Sequence, residues 1–352
     1  MTLTVKSVGH AARVRNRRGA AGALLVAALA PCCCVLASCL FTGAREQQQR
    51  ITDDYQLAQA DGRRPAVFAN LTVAGEITSL QDARFSDKAA ERGLWRPLDS
   101  IATTPPGVYF LAPFDATRIP VLFVHGMSGS PANFAYLIER LDRSRFQPWV
   151  YSYPSGAQLD VVADHLELTI EQLQARQHFE AMAVVAHSMG GLIARDFILR
   201  HAKTAPAAAV RLFVTISTPW DGHAAAERVP SVINLWQDIV PGSDYLNRLF
   251  AAPLPATTRH YLLFTFNRKA ASFGVSNDHT VTVASQLRDV AQREAVRVIG
   301  FDDTHEGVLR NAEVALLLDR LLAEAFVAPR GAGGAAVAFT APAEGEERTQ
   351  HR

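Results

Sequence analysis

Short apolar runs alternate along this chain with longer stretches in which apolar residues recur every third or fourth position. The run at 119–124, Ile-Pro-Val-Leu-Phe-Val, predicts a buried strand. Ser130-Pro131 then starts a helix, with serine placed to cap it and proline in its first turn, carried through Phe134, Leu137, Ile138 and Leu141. Residues 147–153 predict a second strand, and 159–174 carry apolar positions at helical spacing. A β-branched run at 183–186 reads as another strand and leads into an amphipathic segment, 192–199, that continues to about His201. Further strands are expected at 210–216, 260–266 and 295–299, and a closing helix at 308–326. Repeated strand–helix units specify an α/β fold, with a mostly parallel central sheet and helices on both faces. The chain has no internal repeat.

The first 38 residues follow a different pattern. Lys6, Arg13, Arg15, Arg17 and Arg18 form a basic stretch without any acid, and an apolar segment from Ala20 to Leu36 is broken only by Pro31. It ends in Leu36-Ala37-Ser38-Cys39, which resembles the lipobox of bacterial lipoproteins. In that family the peptidase cuts before the cysteine, which becomes the diacylated N-terminus, so residues 1–38 are expected as signal peptide and Cys39 as the lipidated residue. All four cysteines (Cys32, Cys33, Cys34, Cys39) lie here, so the processed chain keeps only Cys39 and has no disulfide framework or cysteine metal site. An uncleaved inner-membrane anchor with a periplasmic domain is the alternative, because the apolar stretch is nearly long enough to span a bilayer. Both readings tether the remainder to a membrane outside the cytoplasm. Leu40, rather than an aspartate, follows the cysteine, and by resemblance to lipoprotein sorting this implies the outer membrane of the cell envelope.

Residues 39–65 are polar and read as a linker. Residues 66–112 mix short apolar runs with Pro and Gly turns, and are expected as an N-terminal extension adding strands or a cap. The principal domain spans 113–326, and 327–352 is a Gly/Ala-rich, then acidic-polar tail expected to be disordered. Lys and Arg number 35 against 34 Asp and Glu. With that balance, and no basic stripe interleaved with aromatics, nothing points to a nucleic-acid partner.

The chemistry concentrates at Ala186-His187-Ser188-Met189-Gly190-Gly191. A buried strand that turns sharply through a serine into a helix is the recipe for a nucleophile elbow, whose strained turn requires small flanking residues. Ala186 and Gly190 occupy the two small positions, with alanine where the usual pattern has glycine. The competing reading is an ordinary strand–loop–helix junction with an incidental serine.

Residues 105–326 resemble an α/β-hydrolase, and specifically the bacterial lipases and the inositol-deacylase-like group. His125-Gly126-Met127-Ser128-Gly129 after the first strand matches the family's oxyanion motif. The resemblance implies that Met127 and Met189 donate the two oxyanion-hole N–H groups, with His125 bracing the loop and His187 pointing away from substrate. The family's chain order Ser, Asp/Glu, His is met by Ser188, by Asp278 ahead of a Val-x-Val-x-Ser run at 281–285, and by His305 between the last strand and last helix. Ser188 is thus the implied nucleophile, His305 the general base and acid, and Asp278 its orienting acid. His279 stands behind as a rival base, and Asp302 and Asp303 as rival acids. Thr218-Pro219-Trp220-Asp221-Gly222 resembles the family's Thr-Pro-His-x-Gly turn with Trp220 in place of histidine. It opens a cap or lid at about 219–258 that carries Val232, Ile233, Leu235, Trp236, Ile239, Leu246, Leu249 and Phe250, some of them expected to line an acyl pocket.

These resemblances imply a membrane-anchored serine hydrolase of carboxylic esters, lipase- or esterase-like, acting on an ester or lipid-like substrate and needing neither cofactor nor metal. The same machinery serves an acyltransferase, a thioesterase or an amidase. A surface lipoprotein that keeps the fold without the chemistry is the remaining alternative.

Overall fold

The computed structural model describes residues 72–204, 209–228, 235–268 and 277–327. The expected signal peptide, Cys39, the linker, most of the tail, Val232 and Ile233 lie outside the described residues. Among the described residues no helix is long and apolar enough to cross a membrane.

The chain opens with β1 (Val73–Ile77), a single 3₁₀ turn, α1 (Asp87–Trp95), α2 (Pro97–Thr103) and β2 (Gly107–Phe110). Then come β3 (Ile119–Val124), α3 (Ala135–Glu139), β4 (Phe146–Ser152), α4 (Leu159–Gln177), β5 (Ala181–His187), α5 (Gly190–Thr204) and β6 (Ala209–Ile216). Two short helices, α6 (Leu235–Asp238) and α7 (Asp244–Leu249), precede β7 (Arg259–Phe266). The remainder is α8 (Val283–Gln286), α9 (Asp289–Glu294), β8 (Arg297–Asp302) and α10 (Ala312–Ala325). Among the described residues these eight strands form one sheet in the order β1-β2-β4-β3-β5-β6-β7-β8. It is parallel except where β2 runs antiparallel to β4. The strands at 73–77 and 107–110 therefore extend the same sheet at one edge.

The two-residue period of the strands sends alternate side chains to two cores. In β3, Leu122 and Val124 join the core under α4 and α5, whereas Val121 and Phe123 join the one under α3 and α10. In β5, Val184 and Ala186 go with the former, and Ala183 and Val185 with the latter. Burial on both faces is why these strands read as continuous apolar runs.

Three boundaries differ from the sequence pattern. The helix expected from Ser130 begins as a 3₁₀ turn over Pro131–Phe134, with Ser130 and Asn133 closing a capping box, and becomes α-helical only at Ala135. The last strand runs 297–302 rather than 295–299, because its limits are set by pairing of Tyr261–Phe266 with Arg297–Asp302. Val296 and Val298 are largely exposed on that edge, so their apolarity did not mark the core. The closing helix starts at Ala312 because Asn311 caps it, its side chain accepting from Glu313 N–H.

Cap residues Leu235, Trp236, Ile239, Leu246 and Leu249 are buried in one cluster with α4 and α5. The buried guanidinium of Arg195 in α5 secures this segment, donating to the carbonyls of Leu249 (2.9 Å) and Ala252 (3.0 Å) and pairing with Glu294 at 2.6 Å. Arg195 and Arg288 also lie against the Phe250 ring, at 4.4 and 4.9 Å from its centroid.

Candidate active site

The loops that leave the carboxyl ends of β3, β5, β7 and β8 carry the candidate residues, the edge where parallel α/β sheets hold ligands. Ser188 follows β5 with φ of 54°, in the left-handed region that non-glycine residues rarely enter. Its N–H is held by the Ile216 carbonyl at 2.8 Å, and its own carbonyl accepts Gly191 N–H at 2.9 Å as α5 begins. A Cβ at Gly190 would lie 2.4 Å from the carbonyl oxygens of both Val124 and His125, and one at Gly126 would lie 2.7 Å from Ser188 Cβ. The elbow thus packs directly on the loop after β3, where only hydrogen fits. Ala186 is fully buried in the core under α4 and α5, and its methyl is accommodated.

Ser188 Oγ lies 2.9 Å from His305 Nε2, and His305 Nδ1 lies 2.7 Å from Asp278 Oδ2. A carboxylate accepts only, so Nδ1 carries the proton and Nε2 presents its lone pair to the serine hydroxyl. All three side chains are buried, and Asp278 has no exposed surface. Its Oδ1 accepts the N–H groups of Thr280 at 3.0 Å and Val281 at 2.7 Å, while the backbone of His305 donates to the Asp278 carbonyl at 3.0 Å. Burial pushes the Asp278 carboxyl up, but the hydrogen bond and charge of His305, with the hydrogen bonds from Thr265 and the Val281 backbone, outweigh it and hold the group below its usual value.

The rivals lie elsewhere. His279 is exposed on the acid loop, its N–H bonded to Asn277 Oδ1. Asp302 pairs with Arg268 at 2.6 Å. Asp303 accepts from Thr304 N–H at 2.8 Å and from Asn311 Nδ2 at 3.0 Å.

His125 is buried, bonded through Nδ1 to the Gly126 carbonyl at 2.9 Å and stacked on Tyr153 at 4.1 Å between centroids. The Tyr153 hydroxyl donates to the His125 carbonyl, a contact that fixes the loop carrying Met127. His187 reaches His305, donating from Nε2 to its carbonyl at 2.8 Å. Burial pushes the imidazoles of His125 and His187 down to about 4 and about 3, so both are neutral near pH 7. Among the described residues, the N–H groups of Met127 and Met189 donate to no protein acceptor. Met189 is buried, and a buried N–H without a partner is rare enough to mark a place for an acceptor from outside the protein.

The alpha/beta hydrolase family model matches residues 121–346. The chain belongs to this family. No curated protein sequence matches it. Among solved structures, Bacillus licheniformis lipase BlEst2 in its mature form is similar at 14% identity and a TM-score of 0.48, covering 61% of this chain and 97% of that one. A Listeria innocua gene product is similar at 14% identity and 0.47, covering 58% and 94%. Aspergillus fumigatus lipase B is similar at 16% identity and 0.47, and 55% of its length is covered by 60% of this chain.

Within this α/β-hydrolase, several residues at the site carry no signal in the sequence. Thr265 reads as an ordinary β-former in a strand, Gln286 as a helix residue, and Ser217 as the end of an apolar run. All three are buried around Asp278. The described part of the extension, 72–112, is tied to the loops after β3 and β4, since Ser130 Oγ donates to the Phe85 carbonyl at 2.7 Å and Gly156 N–H to the Gly93 carbonyl at 3.0 Å.

Proposed function

We propose that this α/β-hydrolase is a serine esterase of lipase-like type, anchored to the cell envelope through Cys39. The observation that carries the reading is the unbroken relay Ser188 Oγ–His305 Nε2 at 2.9 Å and His305 Nδ1–Asp278 Oδ2 at 2.7 Å. Ser188 attacks the ester carbonyl as His305 takes the hydroxyl proton, and Asp278 stabilises the imidazolium. The N–H groups of Met127 and Met189 meet the negative charge that develops on the carbonyl oxygen. His305 then protonates the leaving alcohol, and water, activated by the same imidazole, releases the acyl group from Ser188. The lipid-like acyl chain rests on the resemblance to the bacterial lipases; the described cap residues Leu235, Trp236, Ile239, Leu246 and Leu249 are packed in the core with α4 and α5. The anchor rests on the basic stretch, the apolar segment and the Leu36-Ala37-Ser38-Cys39 motif.

A fluorophosphonate probe and p-nitrophenyl esters of rising acyl length test the reading together. Wild type is expected to be labelled and to turn over the longer esters. Ser188→Ala is expected to lose the label and at least ~10⁴-fold of the turnover, because oxyanion donors and binding alone leave small residual rates. A wild-type chain that takes no label would be a hydrolase fold without the chemistry, and Ser188→Ala protein that keeps its activity would remove the nucleophile assignment.

A further inference from the structure

Asp278 is surrounded by more polar side chains than a serine–histidine–aspartate relay requires. Oδ2, the oxygen that receives the His305 proton, also accepts from Thr265 Oγ1 at 2.6 Å and Gln286 Nε2 at 3.2 Å. Thr265 belongs to β7 and has no exposed surface. A hydroxyl has one proton to give, and Thr265 has three acceptors in reach, Asp278 Oδ2, Ser217 Oγ at 2.7 Å and the more distant Gln286 Oε1 at 3.4 Å. The carboxylate is both nearer and charged, so it takes the proton. Ser217 Oγ, 2.7 Å from Thr265 Oγ1, is then left to donate to that oxygen. The result is a buried chain, Ser217 to Thr265 to Asp278.

Ser217 and Thr265 are both held through their backbone. Ser217 holds a φ of 54°, left-handed for a non-glycine residue, and its N–H is bonded to the Leu263 carbonyl at 2.9 Å. Gln286 grips Thr265 as a fork: Nε2 donates to the Thr265 carbonyl at 3.0 Å and Oε1 accepts its N–H at 2.8 Å. These two bonds aim the Gln286 amide at Asp278.

We propose that Ser217, Thr265 and Gln286 are positioning residues that set the basicity of His305 by sharing the negative charge on Asp278 Oδ2. The proposal rests on the serine-hydrolase reading above. Each additional donor on Oδ2 draws charge from the oxygen that faces the imidazole, and so weakens its hold on the imidazolium. The Ser217 bond polarises the Thr265 hydroxyl and strengthens its donation in turn. Without Thr265 Oγ1, more of the carboxylate's charge is left to the imidazolium, and a higher pH is needed to free the base. Among the described residues, the other ionisable groups that face the pair are His187 from β5, with His125 behind it, and His223 from the turn after β6. Burial lowers all three imidazoles, so they add no charge near neutrality, and Glu306 beside His305 is exposed.

The test is the rate of fluorophosphonate labelling of the detergent-extracted full chain as a function of pH. Thr265→Val keeps the side-chain shape and removes the hydroxyl. It is expected to move the half-point of the labelling rate to higher pH by about half a unit. Thr265→Ser restores the hydroxyl and is expected to bring the half-point back toward wild type. Ser217→Ala touches neither Asp278 nor His305, and is expected to shift the half-point the same way by less. If both Thr265→Val and Ser217→Ala melt at lower temperature with the half-point unmoved, these residues only pack the core and the proposal is overturned. Should Thr265→Val not fold, the presence or absence of the shift in Ser217→Ala decides alone. A wild-type chain that takes no label overturns the underlying reading instead, and the proposal with it.

Discussion

Three aspartates stand within reach of His305 along the chain or across the fold, and each is committed to a different partner. Asp302 and Asp303 are three and two residues away in sequence, yet Asp302 is paired with Arg268 and Asp303 accepts from Thr304 and Asn311. Asp278 arrives from another loop and meets Nδ1 on the side of the ring opposite Ser188. Asp278→Asn is expected to cut turnover by ~10³–10⁴-fold while leaving the fold intact, because an amide nitrogen facing Nδ1 selects the wrong tautomer. Asp302→Asn and Asp303→Asn are each expected to stay within a few-fold of wild type, since the bonds they lose do not reach the imidazole. Steady-state kinetics on the three purified variants checks this, and near-normal turnover in Asp278→Asn would remove it from the relay.

The elbow between β5 and α5 joins backbone geometry to chemistry at the scale of an element. Its turn carries Ser188 in a left-handed conformation and presses Gly190 against two carbonyl oxygens at the end of β3. A methyl at Gly190 has no flexible neighbour to displace, because the atoms it would meet belong to the backbone at Val124 and His125. Gly190→Ala is therefore expected to cost about 1–3 kcal/mol of stability as the loop after β3 shifts. That shift moves Met127 relative to Ser188, so probe labelling should fall as well. Chemical denaturation and labelling on the same preparation test both effects; unchanged values in both would show that the turn relaxes freely. His187, next to Ser188, belongs to the same account. It bonds the His305 carbonyl, and so couples the serine-bearing strand to the histidine loop through a neutral ring.

Across the whole molecule, the cap meets the sheet body through a carboxyl group in a crowded place. Asp238, at the end of α6, accepts Leu159 N–H at the start of α4 at 2.9 Å. Burial pushes its carboxyl up to about 7; Asp160 and Asp196 push the same way, and Arg248 opposes them. The folded chain then holds a proton between about pH 4 and pH 7 that the unfolded chain has released. Stability is lost as pH rises through that window, and the penalty is complete above it. Asp238→Asn keeps an oxygen for Leu159 N–H and carries no charge. Thermal denaturation should show it more stable than wild type at pH 8 by roughly 2–4 kcal/mol, with the difference narrowing toward pH 5. Parallel curves from pH 5 to 8 would show that water already solvates the group. At the other end of the chain, Cys39→Ser is expected to abolish fatty-acid labelling and lipoprotein-type processing; equal label in wild type and variant would exclude the lipid anchor at this residue.

The strand–helix alternation, the buried strands and Ser188 itself follow from the sequence, because each depends on contacts among near neighbours. Continuous apolar runs mark strands covered on both faces, and the small residues at 186 and 190 mark a tight turn, which at Gly190 leaves no room for a methyl. Spacing alone did not place the edge strand or the last helix start. Pairing with β7 sets β8, and Asn311 sets α10, against the direction of the local apolar pattern. The acid that faces His305 was legible only through the order of motifs along the chain, and its buried supports were not legible at all. Ser217, Thr265 and Gln286 come from three separate elements and acquire a common purpose only when β6, β7 and α8 close around Asp278. A hydrogen bond across 48 or 21 positions leaves no periodic trace in the chain, because its geometry exists only once the sheet has assembled.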